Sequence, residues 1–408
     1  MDVDTERFDP AELQDTILSE LRDPWTPLAE ARLRGPVIKG NAMDDDLPKT
    51  DQPAVDEVPS FTVLGYDETT AVLDDDETFT STIYEDIVGP VMGHSMLEMD
   101  GDEHVLHRAL VSQAFRRKVM ARWETELVAV VVDELIDGFA DRGNADLVRE
   151  LTFAFPVQVI ARILGLPRAD YPAFQRWSIE MLSVMVSWER GMAAASSLRD
   201  YFAGVLTERR QSPGDDLISD LAVAEIDGER LSDDEIFAFL RLMLPAGVET
   251  TYRSSGNLLF ALLHNPDQLD AVRHDRVLLH TAIEEGLRWE PPLIFIIRRA
   301  ARDTELAGVQ IPAGATINVC VGTANRDPRR YRDPERFDIF RDQRLHVTFG
   351  HGPHICLGMH LARMETRIAM DRLLDRLPNV RLDPDAEPPY IQGVAFRSPN
   401  ALPVVFDV

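Results

Sequence analysis

The amino-acid sequence predicts a mainly α protein with a small β-rich region. Three observations carry that expectation. Helical periodicity dominates from Asp102 to about Arg210, in stretches such as HVLHRALVSQAF, ARWETELVAVVVDELIDGFA and VRELTFAFPVQVIARILGL. Ser232-Asp233-Asp234-Glu235 forms a capping box that opens a long helical segment over roughly 233–264. After it, short strand-like runs (TELAGVQIP, TINVCVG, VAFRSP and ALPVVFD) alternate with loops.

In chain order, residues 1–58 read as a peripheral N-terminal arm: a short helix, PAELQDTILSEL, with Asp9 as its cap, then an acidic stretch, MDDDLPKTDQPAVDE. SFTVLGYDETTAVL reads as a strand that turns at Gly65 into a helix, and residues 79–99, rich in Gly, Met and Ile, as a loop. Inside 233–264 lies LPAGVETT. Pro245 removes a helical hydrogen bond and Gly247 weakens the next turn, so the helix should bend or open there. HTAIEEGLRW is a helix that sets Glu285 and Arg288 on one face, three residues apart. A final amphipathic stretch, LGMHLARMETRIAMDRLLDRL, follows a glycine-punctuated loop.

No linker, repeat or low-complexity run divides the 408 residues, so residues 1–408 are expected to form a single catalytic domain. An apolar share of 45% suffices for a deep core that still encloses a large cofactor. Apolar runs such as LVAVVVDELI are broken by charge well short of a membrane span, and the N-terminus is acidic and polar. No membrane association and a cytoplasmic location are therefore expected. Two cysteines, Cys320 and Cys356, are too few for a disulfide framework or an all-cysteine iron–sulfur cluster. The formal net charge of −28 argues against nucleic acid as a partner. Against that background the basic run from Phe115 to Arg122, with Arg116, Arg117, Lys118 and Arg122, is a local inversion of sign; alone, such a run is usually a solvated helix face.

Cys356 stands in Phe349-Gly350-His351-Gly352-Pro353-His354-Ile355-Cys356-Leu357-Gly358, just ahead of the last helix. Unpaired N–H groups and the helix dipole at that position favour the anionic thiolate, a nucleophile or metal ligand. His351, His354, Cys356 and His360 are residue types that suit zinc, but they lack the usual paired-cysteine spacing. The pattern F-G-x-G-x-H-x-C-x-G is met at every fixed position. It resembles the haem-thiolate loop of the cytochrome P450 family, whose cysteine ligates the haem iron and donates electron density that favours O–O cleavage. Ala246-Gly247-Val248-Glu249-Thr250-Thr251 is similar to that family's acid–alcohol segment, and Glu285 with Arg288 to its buried E-x-x-R pair.

The resemblance implies the cytochrome P450 fold and a thiolate-ligated haem b with Cys356 as the metal ligand. It implies a catalytic pair, with Glu249 relaying protons and Thr250 hydrogen-bonding dioxygen. Gly247 is expected to leave room for oxygen. Ala246, Gly247, Phe349, Cys356 and Gly358 would border the haem, and His104, Arg108, Arg298 and His354 would hold its propionates. Arg336 is expected to complete the Glu285–Arg288 network. Segments Ile83–Met96, Phe239–Val248, Leu293–Ile297 and Val394–Phe396 would line a pocket for a small apolar substrate, steroid-like, terpenoid or fatty acid-like. The implied activity is insertion of one oxygen atom from O2, with electrons from a ferredoxin and ferredoxin reductase that meet the basic run. A peroxygenase using hydrogen peroxide and a non-catalytic haem or ligand-binding protein are the alternatives; retention of the acid–alcohol pair favours O2.

Overall fold

The computed structural model describes residues 21–43, 58–182, 187–342 and 344–408. Helices dominate, as the periodicity predicts, and one large apolar core runs through them from Val91 to Phe406. A five-stranded sheet lies to one side with its own smaller core. Its strand order is Val37–Lys39, Ser60–Val63, Thr316–Cys320, Phe295–Ala300 and Phe79–Thr80. The strand Ser60–Val63 turns through Gly65 into the helix Tyr66–Asp74, as expected.

The N-terminal arm needs correction. The helix predicted within residues 10–21 and most of the acidic stretch lie outside the described residues, but Trp25–Arg34 and Val37–Lys39 are built into the fold rather than peripheral. Trp25 explains why. Its ring lies 3.9 Å beneath the Arg326 guanidinium and its Nε1 donates to Glu290 at 3.1 Å, so it covers a buried ionic cluster. Residues 79–99 are also more ordered than a loop: they contain the short helices Ile83–Ile87 and Gly89–Met92. Elements of four or five residues are too short to show a period.

The capping box forms in both directions, Ser232 Oγ accepting from the Glu235 N–H at 3.3 Å and the Glu235 carboxylate from the Ser232 N–H at 2.6 Å. The helix Asp233–Leu244 then widens into a π-helical turn at Pro245–Glu249 and resumes as Thr250–His264. Proline has no N–H to give the preceding turn, and the wider turn absorbs the break without ending the helix.

Glu285 and Arg288 are buried and paired at 2.7 Å. The third member is Arg341, whose Nε lies 3.3 Å from Glu285, and not Arg336. The Arg336 side chain is exposed, and only its carbonyl enters the network, accepting from Arg288 at 3.2 Å and Arg341 at 2.8 Å.

Candidate active site

The loop before the last helix closes on itself where the Cys356 N–H donates to the Phe349 carbonyl at 2.8 Å. Gly352 has φ +68°, and a Cβ there would lie 2.3 Å from the Leu73 carbonyl oxygen, so only glycine fits this approach to the helix Tyr66–Asp74. Gly358 caps the helix Met359–Arg376, and a Cβ on it would come within 4.0 Å of the Cys356 sulfur.

The Cys356 side chain is accessible yet surrounded by protein, as for a group that faces an internal cleft. Burial raises its pKa, an effect only partly offset by the Gly358 N–H and the charges of Arg108 and Arg363. Position at a helix start therefore does not ionise this thiol unaided. A coordinated metal ion would complete the ionisation. Cys320, fully buried at a strand end, is pushed up to about 11 by burial and faces no comparable site.

On the bulged helix, Thr250 Oγ1 donates to the Ala246 carbonyl at 2.6 Å, and Ala246 is exposed although it lies in mid-helix. The widened turn contributes to this opening. A Cβ on Gly247 would lie 3.2 Å from Ile160 Cδ1, so that glycine also eases the approach of the helix Ala154–Ile163. Glu249 is buried and paired with Arg253, whose Nε donates at 2.9 Å and whose Nη1 reaches Ser398 Oγ at 2.9 Å. The pairing corrects any picture of Glu249 as a carboxylate open to solvent. Beside it lies a cavity of about 10 Å³, lined by Gln175, Ser178 and apolar side chains, large enough for about one water. The same helix is tied to the helix after Cys356 by Ser255 Oγ and Thr366 Oγ1, 3.2 Å apart.

The four residues expected to hold propionates differ in how fully they are engaged. His104 is buried and stacked on His354, ring centroids 3.9 Å apart. Burial, with the nearby charges of His354 and Arg108, drives its pKa down to about 4, and its Nε2 has no hydrogen-bond partner. Arg298 is buried, donates to the Ile297 carbonyl at 2.9 Å and makes no ion pair among the described residues. Arg108 donates to the Ile355 carbonyl at 2.5 Å, and His354 contacts Asp100 at 3.0 Å and Ser81 at 3.2 Å. A buried and a half-buried guanidinium without ion pairs among the described residues and a stranded imidazole nitrogen, close to an accessible thiol, fit a flat dianionic group with a thiolate-seeking centre. Haem is such a group. Arg299 and His107 are engaged elsewhere, with Asp86 at 2.5 Å and Glu235 at 2.7 Å.

All four expected lining segments are brought together. Leu293 and Phe396 form a bridge, the Ile297 N–H donates to Tyr84 Oη at 3.0 Å, and Arg241 Nη1 donates to the Val91 carbonyl at 3.0 Å.

Two clusters escaped the sequence reading. Glu365, fully buried in the last helix, has its pKa raised by desolvation and accepts a hydrogen bond from Thr251. Its place on an apolar face, between Leu361 and Ile368, was the available signal. Glu284 is the second: burial would raise its pKa, but His346 and Arg363 hold it at about 2. Arg363 also lies 4.4 Å over the Phe349 ring, which links this cluster to the cysteine loop. The basic run divides. Arg122 pairs with Asp215, whereas Arg117 borders a groove with Arg363 and Arg367.

The cytochrome P450 family profile matches residues 169–401. Cytochrome P450 107B1 of Saccharopolyspora erythraea is 39% identical over 322 residues, 77% of this chain and 78% of that protein. Cytochrome P450 monooxygenase PikC of Streptomyces venezuelae is 35% identical over 395 residues, 94% and 91% of the two chains. The crystal structure of CYP109E1 from Bacillus megaterium in complex with testosterone aligns with a TM-score of 0.83 at 32% identity, covering 95% of this chain and 100% of that one.

Proposed function

The chain belongs to the cytochrome P450 family as a monooxygenase, and from that premise we propose that Cys356 ligates haem b in a single catalytic domain that oxidises an apolar substrate with O2. The observation that carries this reading is the accessible Cys356 thiol beside His104 Nε2, which has no hydrogen-bond partner, and Arg298, which makes no ion pair among the described residues. Arg108, Arg298 and His104 would hold the propionates, and His354 would join them by exchanging its contact with Asp100. Haem bound there would supply the redox and oxygen-activating chemistry, with electron donation from the Cys356 sulfur.

The chain's own residues do the rest. Thr250 holds a hydroxyl at the mouth of the widened turn, where it would be free to exchange the Ala246 carbonyl for another hydrogen-bond acceptor in the cleft. Glu249, held beside Arg253, takes protons from a water in the adjoining cavity and passes them toward Thr250. The segments around Tyr84, Ile297 and Phe396 exclude bulk water from an apolar pocket. A steroid-like, terpenoid or fatty acid-like substrate suits that lining, and the testosterone complex of CYP109E1 supports the first.

Electrons enter from a ferredoxin, reduced by its reductase, at the groove bordered by Arg117, Arg363 and Arg367. An acidic donor would be repelled by a protein of net charge −28 unless a local basic surface guides it. Arg122 pairs with Asp215, and within the groove Arg363 pairs with Glu284 and Arg367 with Glu124, whereas Arg117 makes no ion pair among the described residues. Among the described residues, no helix is long and apolar enough to cross a membrane. Turnover with isotopically labelled O2, a ferredoxin and its reductase tests the reading: one labelled oxygen atom in the product is expected. Unlabelled product, or no turnover with O2 while hydrogen peroxide supports it, would contradict it.

A further inference from the structure

Arg241 lies on the helix Asp233–Leu244, five residues before Ala246, or about 7–8 Å along the axis. Its guanidinium is enclosed between this helix and the segment Gly89–Gly93. Nη1 donates to the Val91 carbonyl at 3.0 Å and Nε to the Phe237 carbonyl at 3.3 Å. Gly93 has φ +82°, and a Cβ there would lie 2.6 Å from Nη2, so glycine at this point makes the space the guanidinium occupies.

Every hydrogen-bond acceptor given to this cation is neutral, and among the described residues Arg241 makes no ion pair. Burial lowers its pKa, and the charge of Arg199 lowers it further. Asp234, the carboxylate whose charge acts in the opposite sense, is exposed and already bonded to Arg199 at 2.9 Å. Elsewhere in this chain buried arginines have carboxylate partners: Arg253 has Glu249, Arg288 has Glu285, and Arg397 has Glu290. Arg108 and Arg298, which also make no ion pair among the described residues, would meet the carboxylates of the proposed cofactor. Arg241 is in the same unfinished state where the lining segments 83–96 and 239–248 meet. An enclosed charge left with neutral acceptors is costly, and an arriving anion with charge-assisted hydrogen bonds would relieve it.

We propose that Arg241 is a specificity-determining residue that binds a carboxylate at one end of an otherwise apolar substrate. The acid group and the reacting carbon would then stand at opposite ends of the molecule, one at Arg241 and the other near Thr250. Among the substrate classes above, this favours the acids: fatty acids, terpenoid acids and steroid acids over their neutral counterparts. The inference rests on the monooxygenase reading of the same site.

The test uses the ferric holoprotein with dodecanoic, abietic and cholanic acids, each beside its methyl ester, and follows the low-spin to high-spin shift of the Soret band. The wild type should bind at least one acid roughly tenfold or more tightly than its ester. Arg241→Leu should erase that preference, and Arg241→Lys should keep part of it. Binding no acid more tightly than its ester, or an unchanged preference in Arg241→Leu, would overturn the proposal. The carbon monoxide difference spectrum of each protein is recorded first. A thiolate-type band shows that haem is in place and that the variant folds, so a failed preference then falls on Arg241 and not on the haem-thiolate reading.

Discussion

Glu285–Arg288 and Glu249–Arg253 are both buried glutamate–arginine pairs about one helical turn apart, yet their surroundings differ. Around the first, all of the arginine's N–H capacity is used: two bonds to Glu285, at 2.7 and 2.8 Å, and three to the carbonyls of Asn325, Pro334 and Arg336. Glu285 in turn accepts from the Asp338 N–H at 2.9 Å and from Arg341. Around the second, Arg253 donates to Glu249 and Ser398, Tyr252 Oη also reaches Glu249 at 3.4 Å, and Glu249 borders a water-sized cavity. Saturation separates the two roles. The first pair ties the helix Leu278–Trp289 to the long loop ahead of Cys356, and the second holds the Glu249 carboxylate next to the cavity proposed to carry protons. The cleft shows the same unsaturated character at His104 Nε2.

Breaking the saturated pair should have the largest effect. Glu285→Ala leaves the buried Arg288 charge without its partner, and a loss of about 3–5 kcal/mol in unfolding free energy is expected by denaturant titration. Haem uptake should fail with it. Within the same network, Arg341→Ala should cost about 1–3 kcal/mol and Arg336→Ala within about 0.5 kcal/mol, because only the Arg341 side chain is engaged.

The cleft should respond to acid. In the haem-free protein His104 has a pKa near 4 against an ordinary 6.5, so over that interval the folded state binds fewer protons than the unfolded state. Stability from this neutral imidazole is complete above about pH 6.5 and is lost as pH falls toward 4, by roughly 3 kcal/mol in all. Thermal unfolding of the haem-free protein against pH should show that slope in wild type and lose it in His104→Phe. Haem bound through its propionates should flatten the slope by stabilising the protonated imidazole.

The unsaturated pair should yield a kinetic phenotype with little change in stability. Glu249→Gln should slow turnover by about 10²-fold, the usual scale for a lost acid–base group. Thr250→Ala should keep oxygen consumption and divert it to hydrogen peroxide, seen as less product per NAD(P)H. Unchanged coupling with a genuine substrate would remove Thr250 from the chemistry.

Much of this was legible because some constraints are contiguous. The capping box, the proline that widens a helix and the glycine-framed cysteine each need particular residue types within a few positions, and each took the expected place in the fold. Choices settled by distant chain were hidden. Arg336 and Arg341 stand in the same arginine-rich loop, and only tertiary packing decides which side chain turns back to Glu285. Arg122 meets Asp215 across 93 positions, and Gly247 faces Ile160 from another helix. The environment of Cys356 has both kinds of cause: the helix start is local and visible, whereas the burial that raises its pKa comes from the whole fold.

The central claim is that Cys356 ligates haem iron as a thiolate. The reduced carbon monoxide spectrum of the purified holoprotein tests it most directly, measured for wild type, Cys356→His and Cys320→Ala. The account predicts the strongly red-shifted Soret band of thiolate ligation in wild type and Cys320→Ala, and its loss in Cys356→His even where haem remains bound. A red-shifted band that survives Cys356→His would contradict it.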